Sequence, residues 1–401
     1  MSHSHAHHSR RAGVPAHPLA RALLLGFLGL WALGTVVGAV LLFPSSDPAD
    51  QPKADFAAPG VTFPSALVNE IRPTCADQPA PDNGAPATCA ELLVTLDSGA
   101  AAGQQITVQV SPDVARSGLR SGDQVELQRI PGQGELPASY QYFGVKRGHA
   151  VLLMSLLFLL VVVAVARARG LLAVVGLAFA GIVVVKFMLP ALLQGHSGIG
   201  VAIVASSVIM FAVLYLAHGI SVRTSAALAG TLLGVGLTAA LAQVAVGMAR
   251  LSGVGNEEGG ILGAQVHLNF QGLLTCAIIV ASLGILNDVT ITQVSATWEL
   301  REAAPDMSRR SLFSSGMRIG RDHIASTIYT IVFAYAGTAL SILLLLELYD
   351  RPWLALLSSE AIGEEVVRVL AGAIGLVLTV PITTLIAVAT TAGPTARTTE
   401  S

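Results

Sequence analysis

Long apolar runs separated by short polar segments dominate the chain. Scanning for runs long enough to cross ~30 Å of hydrocarbon predicts eight membrane spans. The predicted spans are Ala22–Phe43, Ala150–Ala166, Leu171–Leu193, Ile199–Ala217, Ala226–Met248, Phe270–Ile291, Ile324–Leu346 and Val366–Val388. The pattern therefore predicts a mainly α, polytopic helical membrane protein, with a first span at residues 22–43 and a seven-helix membrane domain at residues 150–389.

The segment between the first two spans, residues 44–149, has a different pattern. Apolar and polar residues alternate with period two in Leu92–Leu96 and again in Ile106–Val110. A turn signal, Ser121-Gly122-Asp123, precedes a further apolar pair. Alternation interrupted by glycine turns is typical of antiparallel strands. We expect a small β-rich domain, with a compact barrel as its form.

The arginines of the short loops set the orientation. Those after the second, fourth and sixth spans fall on one side of the membrane, which the positive-inside rule makes cytoplasmic. The rule predicts a protein of the cell membrane with cytoplasmic tails at residues 1–21 and 390–401 and with residues 44–149 outside. The histidine-rich first tail is interpreted as a disordered segment, although such tracts can also bind transition metals.

Two cysteines of the outer segment, Cys75 and Cys89, flank a proline-rich loop. Because an extracytoplasmic compartment is oxidising, we predict a disulfide between them. The C-x-x-C spacing of redox and zinc sites is absent, which disfavours those roles.

Composition separates this chain from soluble domains, since 53% of its residues are hydrophobic and only 12% are charged. A net charge of -2 indicates no nucleic-acid partner. The sequence Gly195-His196-Ser197-Gly198 is similar to the G-x-S-G of rhomboid proteases, but nothing ensures a base beside the serine. We therefore expect no enzyme activity and no cofactor. The lipid bilayer is the expected partner, and a small solute or ion and further copies of the chain are candidates.

Asp288 is the most informative residue because a charged side chain at the bilayer centre costs at least ~2.5 kcal/mol. Asp288, Thr292, Ser295 and Glu299 are spaced by four, three and four residues, which places them on one helical face. In one interpretation the helix leaves the bilayer here and Asp288 lies among the headgroups. In a second, Asp288 lines a cytoplasmic vestibule that handles an ion, a proton or a polar solute. In a third, it belongs to a purely structural buried pair. We expect Asp288 near the cytoplasmic end of its span, and the helix to continue past the membrane with this polar face.

Lys186 is the obvious candidate to pair with Asp288, but its predicted depth argues against it. Its ammonium either snorkels outward or lines an inner cavity. The basic segment 301–322 is expected to be a cytoplasmic loop, and its Gly316-x-x-x-Gly320 spacing could allow close helix approach. The candidate polar pathway comprises Asp288, Asn287, Thr292, Lys186, His218, Asp322, His323 and Thr327.

Two segments, GILNDVTITQVSATWEL and FSSGMRIGRDHIASTIYTIVFAYAG, resemble the YibE/F family of bacterial multi-pass membrane proteins. The matching positions are Gly284, Asp288, Gly316, Gly320, Asp322, Thr327, Tyr335 and Gly337. The resemblance implies a multi-pass membrane protein, but the family has no assigned biochemical activity. Two hypotheses follow for function. The first is transport of a small solute or ion, and the second is a membrane scaffold or sensor that acts through the outer domain.

Overall fold

The computed structural model describes residues 17–45, 56–73, 90–99, 101–132, 137–255, 257–266, 268–348, 352, 354–355 and 358–394. The chain forms two compact units, of which one holds Lys53–Ala164 and the other holds Met1–Pro52 together with Val165–Ser401. Cys75, Cys89, and the tail residues 1–16 and 395–401 lie outside the described residues. The disulfide and the interpretation of the first tail as a disordered segment therefore stay predictions.

The smaller unit contains the predicted β-rich domain, a five-stranded antiparallel sheet in the order β3-β2-β1-β4-β5. Its strands are β1 Ser65–Pro73, β2 Ala90–Leu96, β3 Gln105–Val110, β4 Gln124–Ile130 and β5 Ser139–Val145, with a short helix α2, Pro112–Arg116, after β3. Along β2 the residues Ala90, Leu92, Val94 and Leu96 are buried and alternate with half-buried residues. This period of two is the one that the sequence shows.

The larger unit is helical. Along the chain the helices are α1 Pro18–Leu41, α3 Gly148–Val183, α4 Leu189–Leu193, α5 Gly198–His218, α6 Val222–Met248, α7 Glu257–Gln265, α8 Phe270–Ala303, α9 Arg309–Thr338, α10 Leu340–Leu348 and α11 Glu360–Thr390. A π-helical turn, Val184–Met188, joins α3 to α4. The chain enters this unit partway along α3, close to Arg167, whose φ of 54° and ψ of -136° are not helical.

In the described part of the chain, six helices are long and apolar enough to cross a membrane, and a seventh span results if α9 and α10, bent by 68°, count as one. The predicted count of eight is thus not confirmed. The difference has two sources. The second and third predicted spans lie in one long segment, Gly148–Leu193, whose backbone is not helical at Arg167, and the first half of α9 is rich in charge.

The predicted loop at residues 301–322 is wrong, because most of it is helical. Helix α8 continues past the predicted end of the membrane span at Ile291 to Ala303, and α9 already begins at Arg309. Hydropathy averages over all faces of a helix, so a stretch with one polar and one buried face falls below the limit for a span. Leu312, Gly316 and Gly320 supply the buried face of this stretch.

Helices α6, α8 and α11 pack most extensively against one another, and α1, α5 and α9 surround them. Small residues allow the close approach of the inner helices. A Cβ atom added at Gly234 of α6 would lie 2.6 Å from Thr379 Oγ1 of α11. In the same way, a Cβ atom added at Gly375 of α11 would be too close to Thr238 Oγ1 of α6. Close packing of small residues is the usual basis of helix association in membranes.

Candidate functional site

The depth of Asp288 follows from the packing of the three inner helices. Gly234 lies near the middle of α6 and approaches both Thr379 and Leu286. Leu286 therefore lies near the mid-plane of the bundle, and Asp288 lies only ~3 Å further along α8 at 1.5 Å per residue. Helix α8 runs on to Ala303, so Asp288 lies well inside the helix. The expectation that Asp288 lies near the cytoplasmic end of its membrane span stays a prediction.

Asp288 faces His323 of α9 at this depth. The Asp288 Oδ2 atom lies 3.9 Å from His323 Nε2, a distance at which a protonated imidazole forms an ion pair. The hydroxyl of Thr292, one turn along α8, lies 3.5 Å from the same nitrogen and donates to the backbone oxygen of Asp288 at 2.7 Å. The Asp288 side chain is 68% exposed and that of His323 is 33% exposed. The pair therefore lies on the outside of the bundle, between α8 and α9.

The polar face of α8 continues towards the predicted cytoplasmic side. Arg223, at the start of α6, donates from Nε to Ser295 Oγ at 3.2 Å and from Nη1 to Glu299 Oε1 at 3.1 Å. Asp288, Thr292, Ser295 and Glu299 thus contact polar groups on two neighbouring helices. They form a row of about three helical turns along α8.

The other predicted pathway residues are dispersed. Thr327 is buried and donates to the backbone oxygen of His323 at 2.8 Å. Asn287 is half-buried, and its Oδ1 accepts no hydrogen bond within the described part of the chain. Asp322 is exposed on α9, and His218 ends α5 near Arg169 and Arg223.

Lys186 is exposed in the π-helical turn, on a segment that packs against α4 and α5. The ring of the adjacent Phe187 lies beside that of Phe43, just beyond the end of α1, with ring centroids 6.3 Å apart and the ring planes tilted by 36°. Lys186 therefore lies close to the end of the bundle opposite the start of α1. An ammonium at that depth can reach the interface by snorkelling, the first of the two predicted alternatives.

A second polar cluster, which the sequence reasoning missed, lies inside the bundle. Gln293 Nε2 donates to Gly316 O and to Thr384 Oγ1, both at 2.8 Å, and the residue is 3% exposed. Beside it, the hydroxyls of Thr231 and Thr290 lie 2.6 Å apart. The Gly316-x-x-x-Gly320 spacing was the available signal, since both glycines face Gln293. This inner cluster joins four helices through satisfied hydrogen bonds.

Polar groups also lie at the other end of the α8–α9–α11 interface. Arg368 Nη1 donates to Glu365 Oε1 at 2.9 Å within α11. Arg368 lines a narrow cleft together with Tyr335 of α9 and Ser282 of α8. The described residues contain no group of three or more His, Cys, Asp or Glu side chains that could hold a metal ion.

Comparison with known proteins gives one match. The model of the family described as YibE/F-like protein matches residues 154–393, which include all of α4 to α11 and most of α3. This confirms the resemblance carried by the Asp288 and Gly316–Asp322 motifs. No curated protein and no solved structure matches the chain.

Proposed function

The chain belongs to the YibE/F-like family, and from this premise we propose that it transports a small solute or ion across the membrane. The observation that carries the proposal is the Asp288–His323 pair at mid-depth of membrane-length helices. Asp, Glu and His side chains at such depth are rare and mark ion paths and proton relays. In this proposal Asp288 and His323 bind the proton or small cation in transit.

Polar groups on both sides of the pair support a continuous route. Towards the cytoplasm, Thr292, Ser295, Glu299 and Arg223 offer hydroxyl, carboxylate and guanidinium groups in sequence. Towards the outside, the cleft at Tyr335 and Arg368 lies on the same α8–α9–α11 interface. A proton or cation moving along α8 from Ser282 to Glu299 would find a polar partner at intervals of about one to two helical turns.

The proposal includes an arrangement in the cell membrane. Division of α3 at Arg167, together with the joining of α9 and α10 into one bent span, gives the predicted eight spans. An even number of spans returns the carboxyl terminus to the side of the amino terminus. We take both termini as cytoplasmic and the β-rich unit as extracytoplasmic, since this agrees with the arginine distribution.

Proton flux provides the test, because protons are the simplest species that an Asp–His pair can carry. Purified protein is reconstituted into liposomes that contain a pH-sensitive dye, and a potassium gradient with valinomycin supplies the driving force. We expect dye acidification above that of empty liposomes and loss of most of this flux in Asp288→Asn. Glu302→Gln is the matched control, as Glu302 is an exposed carboxylate near the end of the same helix.

Equal flux in Asp288→Asn and in the unmodified protein would remove Asp288 from the route. If proton flux equals that of empty liposomes, the assay is repeated with sodium and potassium as the tested ions. A protein that carries none of the three would contradict ion transport through this pair.

A separate observation favours the scaffold or sensor hypothesis as a second candidate. Phe56 and Phe143 in the β-rich unit are 79% and 48% exposed and form an aromatic cluster with Phe63. Exposed aromatic clusters are typical of partner-binding surfaces. Substitution Phe143→Ser would abolish a scaffold or sensor function and leave proton flux unchanged, so the two candidates can be separated.

A further inference from the structure

A row of polar side chains runs along the outward surface of α9. Every fourth residue of this row is polar and exposed, and its members are Arg310, Ser314, Arg318, Asp322, Ser326 and Thr330. Side chains four residues apart are neighbours on a helix surface, so the six form one continuous ridge. We refer to this row as the α9 ridge. The face of α9 that carries Gly316, Gly320 and Thr327 is buried against the bundle instead.

The α9 ridge is as long as the hydrocarbon core of a bilayer is thick. Arg310 and Thr330 are twenty residues apart, which is ~30 Å at 1.5 Å per residue, and the core also measures ~30 Å. His323, at the depth of Asp288, divides this length. Arg310 lies ~20 Å from His323 towards the predicted cytoplasmic side, and Thr330 lies ~10 Å from it towards the other side. The ridge therefore crosses most of the bilayer in the arrangement proposed above.

The α9 ridge is open on the side away from the bundle. Helix α9 packs against α8, α10 and α11, and the residues of the ridge stay exposed. Within the described ranges Asp322 forms no ion pair, and Arg318 donates to Ser315 Oγ of its own helix at 2.8 Å. Charged side chains at membrane depth are not stable against acyl chains and require polar groups or water around them. Lipid headgroups, with their water, are the polar groups that the bilayer itself supplies.

We propose that the α9 ridge conducts phospholipid headgroups from one leaflet to the other while the acyl chains stay in the bilayer. The protein is then a lipid scramblase, an activity beyond ion transport. A headgroup that crosses a pure bilayer leaves water for ~30 Å of hydrocarbon, which is costly for its charges. Along the ridge it meets a hydroxyl, carboxylate or guanidinium group about every 6 Å, so the barrier falls.

The charges of the ridge select a zwitterionic headgroup. The guanidinium groups of Arg310 and Arg318 match a phosphate, and the Asp322 carboxylate, one turn beyond Arg318, matches an ammonium group. Phosphatidylethanolamine carries both groups, so one headgroup can contact Arg318 and Asp322 together. A lipid with a phosphate alone would leave the Asp322 carboxylate without a partner.

The remaining part of the ridge continues with hydroxyl groups. Thr330 Oγ1 donates to the backbone oxygen of Ser326 at 3.2 Å, and its own oxygen still accepts hydrogen bonds from an ammonium group. The proposal uses the membrane placement of α8 and α9 given above, but it does not depend on ion transport through Asp288.

Extraction of a labelled lipid by albumin tests the activity. The full-length protein is reconstituted into vesicles of phosphatidylethanolamine and phosphatidylglycerol that contain a trace of phosphatidylethanolamine with a short fluorescent acyl chain. Albumin extracts this lipid from the outer leaflet only and cannot cross the membrane, so protein-free vesicles release about half of the label. We expect nearly complete release when the protein is present.

Release equal to that of protein-free vesicles, with the protein shown to be incorporated, would overturn the proposal. A ridge that lies outside the hydrocarbon, or one that a second copy of the chain covers, gives this negative result.

Variants of α9 test whether the ridge is the route. Asp322→Leu and, separately, Ser326→Leu interrupt it with an apolar side chain at an exposed position, where the fold should tolerate the change. We expect each to slow the release from the inner leaflet at least about tenfold, because a headgroup must then pass two helical turns without a polar partner. Arg321→Leu is the matched control, since Arg321 is exposed and charged at the same depth but lies outside the ridge.

The control should keep the rate of the unmodified protein. Unchanged rates in both ridge variants would contradict the route, as would an equal loss in Arg321→Leu.

The two proposals fail in different ways. A protein that exchanges lipid between the leaflets and carries no proton, sodium or potassium would retain the ridge and remove ion transport. Asp288-dependent flux without lipid exchange would do the reverse.

Discussion

Two polar clusters on α8, only about one and a half turns apart, have opposite environments. Gln293 is buried, and its amide donates to α9 and α11. Asp288 has a 68% exposed side chain and contacts one imidazole at 3.9 Å. Gln293 is neutral and satisfied inside the bundle, which is how polar groups hold membrane helices together. Asp288 carries an ionisable group with one polar neighbour on another helix, so packing of the bundle interior accounts for Gln293 and does not account for Asp288.

The largest expected effect is on proton flux, which should depend on the Asp288 cluster and not on the Gln293 cluster. In Asp288→Asn we expect loss of most proton flux with an unchanged unfolding temperature in detergent, because the exposed carboxylate contributes little to packing. Thermal unfolding of the same preparation used for flux is the measurement. A variant that loses flux only because it unfolds would make Asp288 a structural residue, like Gln293.

Overpacking the inner cluster should give the opposite result. In Gly320→Val the new side chain would meet Val380 and Gln293, since even a Cβ atom would lie 2.7 Å and 3.1 Å from them. We expect destabilisation by about 1–3 kcal/mol, measured as a lower midpoint of thermal unfolding. Gly284→Ala on α8 is the matched control, because nothing lies within 4 Å of a Cβ atom there. That control should be neutral or stabilising by up to about 1 kcal/mol.

A smaller effect is expected when the inner hydrogen bonds alone are removed. Gln293→Leu keeps most of the volume and loses both donated bonds, while Thr384 still donates to Val380 O at 2.7 Å. Hydrogen bonds between membrane helices contribute about 0.6 kcal/mol each on average, so we expect a loss of about 1 kcal/mol. Denaturant titration against the unmodified protein measures it. A loss of several kcal/mol would show that the inner cluster is more than a packing contact.

Hydropathy and period-two alternation were sufficient to predict most of the architecture. They located the membrane-length apolar helices and three of the five strands, β2, β3 and β4, because each depends on local side-chain pattern. Hydropathy failed at residues 301–322, because it averages over all faces of a helix. The buried face of Leu312, Gly316 and Gly320 supports a helix there, but the exposed arginines lower the average hydropathy of the segment. The few buried residues on this one face raise the average hydropathy of the segment too little for the segment to be predicted as a helix.

The candidate site was predicted in part. The spacing from Asp288 to Glu299 placed four polar residues on one face of α8, and His323, which contacts Asp288, was among the candidate pathway residues. The level of Asp288 relative to the neighbouring helices could not be read from the apolar run, because the run ends at Ile291 while α8 continues to Ala303. Depth depends on which turns of α6 and α11 contact α8, and that is a property of packing between distant segments.

The central claim is that the exposed face of α8 and α9 at Asp288 is in contact with water. Thr292→Cys, one turn from Asp288, tests it with a charged, membrane-impermeant thiosulfonate added to the cytoplasmic side of membrane vesicles. Because only the thiolate reacts and it forms in water, we predict modification at least about tenfold faster than at Leu177→Cys, on the apolar surface of α3. Modification as slow as at Leu177→Cys would contradict the account.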